Sequence, residues 1–135
     1  MLISELLPLF ITDALAVAGA KYPAATRHDD FRTAVRLPNV DVVINGTPDH
    51  WHTLINLAAL RAGKDVYSEK PLTLTIDEGK RLVREVHQRG RILQTGSQQR
   101  SDRRFKLAVH LVQSGRLGKL QHILTSLPSG RSCRK

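Results

Sequence analysis

From residue 40 onward the chain repeats one order of elements: a short run rich in Val and Ile, an amphipathic segment, a glycine, then another short apolar run. Few folds accept that order. Strands separated by a helix-length segment cannot pair as tight hairpins, and the return over a sheet face is a right-handed βαβ crossover. Residues 40–47 (VDVVINGT), 65–68 (DVYS), 91–95 (RILQT) and 119–126 (KLQHILTS) read as strands. Residues 52–62 read as the first crossover helix, with Leu54, Leu57 and Ala58 inward and Gly63 as its left-handed stop. Thr75 and Glu78 stand at capping-box spacing before a second helix that turns Leu82, Val83 and Val86 inward and stops at Gly90. A third is expected to start at Ser101, share a face among Phe105, Ala108, Val109 and Val112, and end at Gly115. Upstream, residues 13–21 and 29–37 read as shorter helices, the latter entered through Asp29 or Asp30. The fold class is α/β, a parallel sheet with helices on its faces.

A length of 135 residues suits one domain and leaves no room for a second of full size. Apolar residues at 41% argue against disorder, and the longest apolar stretch, near residues 6–11, is far short of the roughly 18 residues of a membrane span. No export signal is visible, because Glu5 interrupts the apolar start and no basic residue precedes it. The single Cys133 can form no internal disulfide and no Cys-based metal site, so a reducing cytoplasm is the default expectation.

Charge is uneven. Residues 1–78 balance at −3 and residues 79–135 at +12, for a net +9. A field of that sign attracts polyanions, but only six aromatic residues occur, too few among the arginines for the stacking platform that nucleic acid requires. Solvated helix faces, together with the phosphates of a dinucleotide, account for the basic half, and neither nucleic acid nor membrane is expected as a partner.

In an open parallel sheet, ligands sit beyond the carboxyl ends of the strands, where the loops gather beside helix N-termini. The polar residues of this chain collect there: Asn45-Gly46-Thr47-Pro48-Asp49-His50-Trp51-His52, Ser68-Glu69-Lys70-Pro71 and Thr95-Gly96-Ser97-Gln98-Gln99-Arg100. Lys70 is confined between Glu69 and a proline that restricts the backbone on both sides of the bond, so its ammonium can be aimed at a substrate oxygen. The competing reading is a turn lysine paired with Glu69. His50 and His52 are two apart on a helix start, with no Cys to join them, and no metal is expected. Asp77 and Glu78 suit a helix N-terminus, and Ser97 and Ser101 lack the spacing of a hydrolase nucleophile.

Three segments carry a resemblance: Thr47-Pro48-Asp49-His50-Trp51-His52, Ala62-Gly63-Lys64-Asp65-Val66-Tyr67-Ser68-Glu69-Lys70-Pro71-Leu72, and Leu93-Gln94-Thr95-Gly96-Ser97-Gln98-Gln99-Arg100. In order and spacing they resemble the nucleotide-binding domain of the glucose-fructose oxidoreductase / inositol dehydrogenase / rhizopine catabolism family, over about residues 20–127. The resemblance implies a Rossmann-like, doubly wound sheet. It also implies an NAD- or NADP-dependent oxidoreductase that moves a hydride to or from a sugar or polyol. Carried over by position, Thr47, Pro48, His52, Glu69, Lys70, Gln98 and Arg100 line the cofactor, and Lys70 is the catalytic residue. The resemblance also makes the Lys70-Pro71 bond an expected cis peptide.

The departures are equally specific. No GxGxxG turn occurs among the nine glycines, and residues 1–12 match no family position. Residues 13–123 are accordingly expected to be a partial dinucleotide-binding domain lacking its first strands. Residues 124–135 are expected to begin a second, α+β domain that is otherwise missing, so the chain reads as an incomplete and weakly active or inactive oxidoreductase. Two other classes stay open: an interaction module that pairs, with a homo-oligomeric partner among others, through an exposed sheet edge, and a basic nucleic-acid-binding fragment using residues 79–135.

Overall fold

In the computed structural model the described residues are 11–126. Residues 1–10, the stretch from Leu127 to Gly130 and the lone Cys133 lie outside them. The chain divides into two compact units, residues 1–97 and 98–135.

The first unit opens with helix α1 (Ile11–Lys21) and the one-turn α2 (Phe31–Ala34), the latter capped by Asp30, whose carboxylate accepts from the Arg32 N–H at 2.8 Å. Strand β1 (Val42–Asn45), helix α3 (His52–Arg61), strand β2 (Asp65–Ser68), helix α4 (Ile76–Arg89) and strand β3 (Leu93–Thr95) follow. The strands are parallel, in the order β1-β2-β3, so both connections are helical crossovers. Their ends are level. Asn45 pairs with Ser68 and Ser68 with Thr95, which brings three carboxyl ends to one edge, while Gly63 and Gly90 precede β2 and β3 at the opposite edge.

The boundaries set by local chemistry agree with the sequence reading. Thr75 accepts from the Glu78 N–H while the Glu78 carboxylate accepts from the Thr75 N–H, a complete capping box, and α4 ends on Gly90 at φ 59°. The Lys70-Pro71 peptide is cis, as expected.

The α3 face matches the expected one in part: Leu57 and Ala58 are half-buried and pack against the core, whereas Leu54 does not. Leu54 is 51% exposed, and the buried residues are His52, Thr53, Ile55, Asn56, Ala59 and Leu60. Positions 52, 55, 56, 59 and 60 follow the helical period, but two of them are polar, and apolar residues also occupy the other face. A template that counts only apolar positions therefore overlooks His52 and Asn56 and places Leu54 inward. On α4, Leu82 is buried as expected and Val86 packs against the core, whereas Val83 is exposed. The core cluster is Phe31, Val35, Val43, Ile55, Ala59, Leu60, Val66 and Leu82. Each larger member contributes about 1.5–3 kcal/mol by leaving water. Alternate residues of β1 are exposed, Val42 and Ile44 among them.

In the second unit, a 3-10 turn (Gln98–Ser101) leads into α5 (Arg103–Gln113). Its cap is Asp102 and not Ser101, because the Asp102 carboxylate accepts from the Arg104 N–H at 2.8 Å and from the Arg104 guanidinium as well. Phe105, Val109 and Val112, expected to share a face, are exposed. Residues 119–126 form no strand, since a strand needs a ladder partner and none pairs with them among the described residues.

Glu78 ties α4 to its surroundings beyond the cap. Its carboxylate accepts from the Leu74 N–H at 2.8 Å, the Thr75 N–H at 3.2 Å and the Thr53 hydroxyl at 3.2 Å. The Leu74 N–H foremost, then Thr75, Thr53 and the Arg81 charge, hold its carboxyl below the ordinary glutamate range. A carboxylate depressed in the folded state stabilises above its unfolded pKa, and that stability is lost as pH falls through the lowered folded value. The urea-midpoint difference between the wild type and Glu78→Gln is therefore expected to be constant above about pH 5 and to shrink below about pH 4.3. A difference unchanged down to pH 3 would contradict this account.

Candidate functional site

The edge formed by the carboxyl ends of β1, β2 and β3 rests on a buried hydrogen-bond network. Asn45 ends β1 fully buried, and its amide must be satisfied internally. Its Nδ2 donates to Asn56 Oδ1 at 2.7 Å and to the His52 carbonyl at 3.2 Å, while its Oδ1 accepts from the Thr47 hydroxyl at 2.7 Å and the Thr47 N–H at 3.3 Å. Asn56 Nδ2 in turn donates to Ser68 Oγ at 2.9 Å, at the end of β2. One amide side chain thus orients the turn after β1, and a second joins that turn's helix to the neighbouring strand.

His52 adds the other tie. It is the first residue of α3 and is 1% exposed. Its Nε2 lies 2.7 Å from the Thr47 carbonyl oxygen and its Nδ1 lies 2.6 Å from the Pro71 carbonyl oxygen. The loops after β1 and β2 are bridged by one ring.

Above this base, Thr47 is buried, Pro48 and Glu69 are half-buried and Lys70 is exposed. Gly96 follows β3 and donates its N–H to the Ser68 carbonyl at 2.7 Å. A Cβ placed on Gly96 would come within 2.9 Å of the Glu69 carboxylate, so a larger residue there would require the Glu69 side chain to shift. Trp51 packs edge-on against Phe31 with ring centroids 6.3 Å apart and anchors the short turn that enters α3. The edge therefore presents an ammonium, a carboxylate and the helix start in one place.

Of the residues that sequence reasoning marked for the site, the first unit brings together Thr47, Pro48, His52, Glu69 and Lys70. Gln98 and Arg100 belong to the 3-10 turn of the second unit. Among the described residues no group of three or more His, Cys, Asp or Glu side chains could hold a metal ion, and no helix is long and apolar enough to cross a membrane. Sequence reasoning placed Asn45 and Ser68 at strand ends without assigning them a task, and it missed Asn56. The signal for Asn56 is its spacing of four from His52 and its place beside Ile55, Ala59 and Leu60 on one helical stripe.

A level parallel sheet with crossover helices and a polar carboxyl edge defines the nucleotide-binding class of α/β domains. The family model described as oxidoreductase family, NAD-binding Rossmann fold (GFO_IDH_MocA) matches residues 11–97, and the chain belongs to that family. A dehydrogenase of 1-carboxy-3-chloro-3,4-dihydroxycyclohexa-1,5-diene from Comamonas testosteroni is 34% identical over 114 residues, which cover 83% of this chain and 29% of that protein. Myo-inositol 2-dehydrogenase from Thermotoga maritima is 32% identical over 112 residues, covering 83% of this chain and 33% of the relative. The crystal structure of apo scyllo-inositol dehydrogenase from Lactobacillus casei superposes with a TM-score of 0.70 at 28% identity, over 81% of this chain and 33% of that one. The chain spans about a third of the length of these relatives.

Proposed function

We propose that this chain supplies the nicotinamide-side edge of an NAD- or NADP-dependent oxidoreductase acting at a carbinol carbon of a sugar or polyol. The observation that carries the reading is the joining of the Thr47-Pro48 turn to the Glu69-Lys70-Pro71 loop at one sheet edge, through His52 and the Asn45 network. Relatives named as inositol dehydrogenases supply the substrate class. The residues fit one end of a dinucleotide: a flat ledge at Thr47 and Pro48, a helix start behind it, and a carboxylate and an ammonium beside it. The 135 residues contain no GxGxxG turn to receive a pyrophosphate on backbone N–H groups.

When bound, a nicotinamide ring accepts or supplies the hydride. Thr47 and Pro48 would line its site, and His52 and Asn45 hold the turn that carries them in place. Lys70 hydrogen-bonds the substrate oxygen, stabilises the charge that develops on it and carries its proton, while Glu69 orients the ammonium. Fluorescence titration with NADH and NADPH tests the reading. Saturable binding is expected above the low micromolar range, for want of a glycine-rich phosphate turn in these residues, and Lys70→Ala is expected to weaken it. In NAD(P)-linked turnover of a polyol and sugar panel, Lys70→Ala is expected to cost about 10²–10⁴-fold. No response to either nucleotide, or turnover indifferent to Lys70→Ala, would sink the proposal.

A further inference from the structure

Both ring nitrogens of the buried His52 face atoms that can only accept. Thr47 O lies 2.7 Å from Nε2 and Pro71 O lies 2.6 Å from Nδ1. A neutral imidazole has one N–H, so in either tautomer one of these contacts would set a nitrogen lone pair against a carbonyl oxygen. Only the ring protonated on both nitrogens makes two hydrogen bonds. We propose that His52 is a positioning residue that works as an imidazolium clamp, holding the Thr47 and Pro71 carbonyls and with them the two loops that carry Thr47, Pro48, Glu69 and Lys70.

The surroundings bear on the charge in both directions. The α3 N-terminus, where His52 sits, disfavours a cation through the helix dipole, and burial does the same. Two carbonyl oxygens pointing at the ring supply compensating partial negative charge in a site where water cannot screen it. Titratable groups on the elements packed around it include Asp49 and His50 on the turn before α3, Asp65 and Tyr67 on β2, Glu69 and Lys70 on the loop after β2, and Asp77 and Glu78 at the start of α4, where Glu78 accepts from Thr53. The contacts of the ring itself are the two backbone carbonyls. Losing the ring's second proton opens one arm of the clamp and releases either the Thr47 turn or the Pro71 loop, so the relative position of the ledge and Lys70 becomes pH-dependent.

The proposal rests on the nucleotide-site reading for its consequence and on geometry alone for its existence, and the two are tested separately. The intact 135-residue chain, labelled with ¹⁵N, is followed by long-range ¹⁵N–¹H spectra of its six histidines from pH 5.5 to 8.5, with His52→Gln used for assignment. At the acid end His52 is expected to show the near-equal nitrogen shifts of an imidazolium. As the ring deprotonates, the amides of Asp49 and Leu72, which follow the clamped loops, are expected to move with it on one curve. A split pair of nitrogen shifts typical of a neutral tautomer throughout that range, or Asp49 and Leu72 amides indifferent to the ring, would overturn the clamp. His52→Gln keeps one donor and is expected to displace the Asp49 or Leu72 amide and to weaken NADH binding about tenfold at pH 6. Wild type that binds no NADH while the spectra behave as expected refutes the nucleotide reading and leaves the clamp standing. An affinity gap between wild type and His52→Gln that does not change while the His52 nitrogen shifts pass from imidazolium to neutral refutes the link between the second proton and the loops.

Discussion

Replacing Asn45 by Asp is expected to unfold much of the first unit at neutral pH, although the two side chains have the same shape. The carboxylate keeps its acceptance from the Thr47 hydroxyl and N–H. It loses the two donations by Nδ2 and sets an oxygen against Asn56 Oδ1 and the His52 carbonyl, at positions now 2.7 and 3.2 Å from a donor. The site is fully buried, so the new charge is neither paired nor hydrated. Breaking a buried charge pair costs about 3–5 kcal/mol for the same reason, an uncompensated charge in the interior, and this substitution belongs in that range. Asn45→Ala removes all four bonds without adding a charge. It leaves Asn56 Oδ1 unsatisfied and the Thr47 hydroxyl in search of a partner, and a cost of about 2–3 kcal/mol is expected. Urea unfolding followed by circular dichroism orders the three proteins. An Asp variant as stable as wild type at pH 7 would show that water reaches Asn45.

Truncating Ile55 to Ala is expected to cost about 2–5 kcal/mol, a transfer loss plus the cavity left where the side chain stood. Ile55 is fully buried in the middle of α3, within the core cluster of eight buried residues among those described. Small domains hold about 5–15 kcal/mol in total, so one such cavity removes a large share. Leu54→Ala, one residue away and 51% exposed, is expected to change stability by less than about 0.5 kcal/mol. The pair tests the assignment of the helix face directly, because the apolar count in the sequence places Leu54 inward. Equal losses at the two positions would contradict the packing described above.

What the sequence alone determined is whatever depends on neighbours along the chain. The strand–helix–glycine alternation, the capping box of Thr75 and Glu78, the left-handed stop at Gly90 and the strand at Asp65–Ser68 are set by side chains within a few residues of the backbone they act on. The motifs at Thr47 and Lys70 were legible for the same reason, and parallel topology then carried them to one edge. Tertiary structure decided the rest. His52 and Asn56 look like interruptions of an apolar helix until Thr47, Pro71, Asn45 and Ser68 arrive from 5 to 19 residues away to accept and donate. Residues 119–126 have the composition of a strand, yet a strand is a relation between two segments, and none of the described residues supplies the second. Local preference reaches about a helical turn along the chain, whereas the burial of a polar group is decided by where its partner lies in space, which one-dimensional periodicity does not encode.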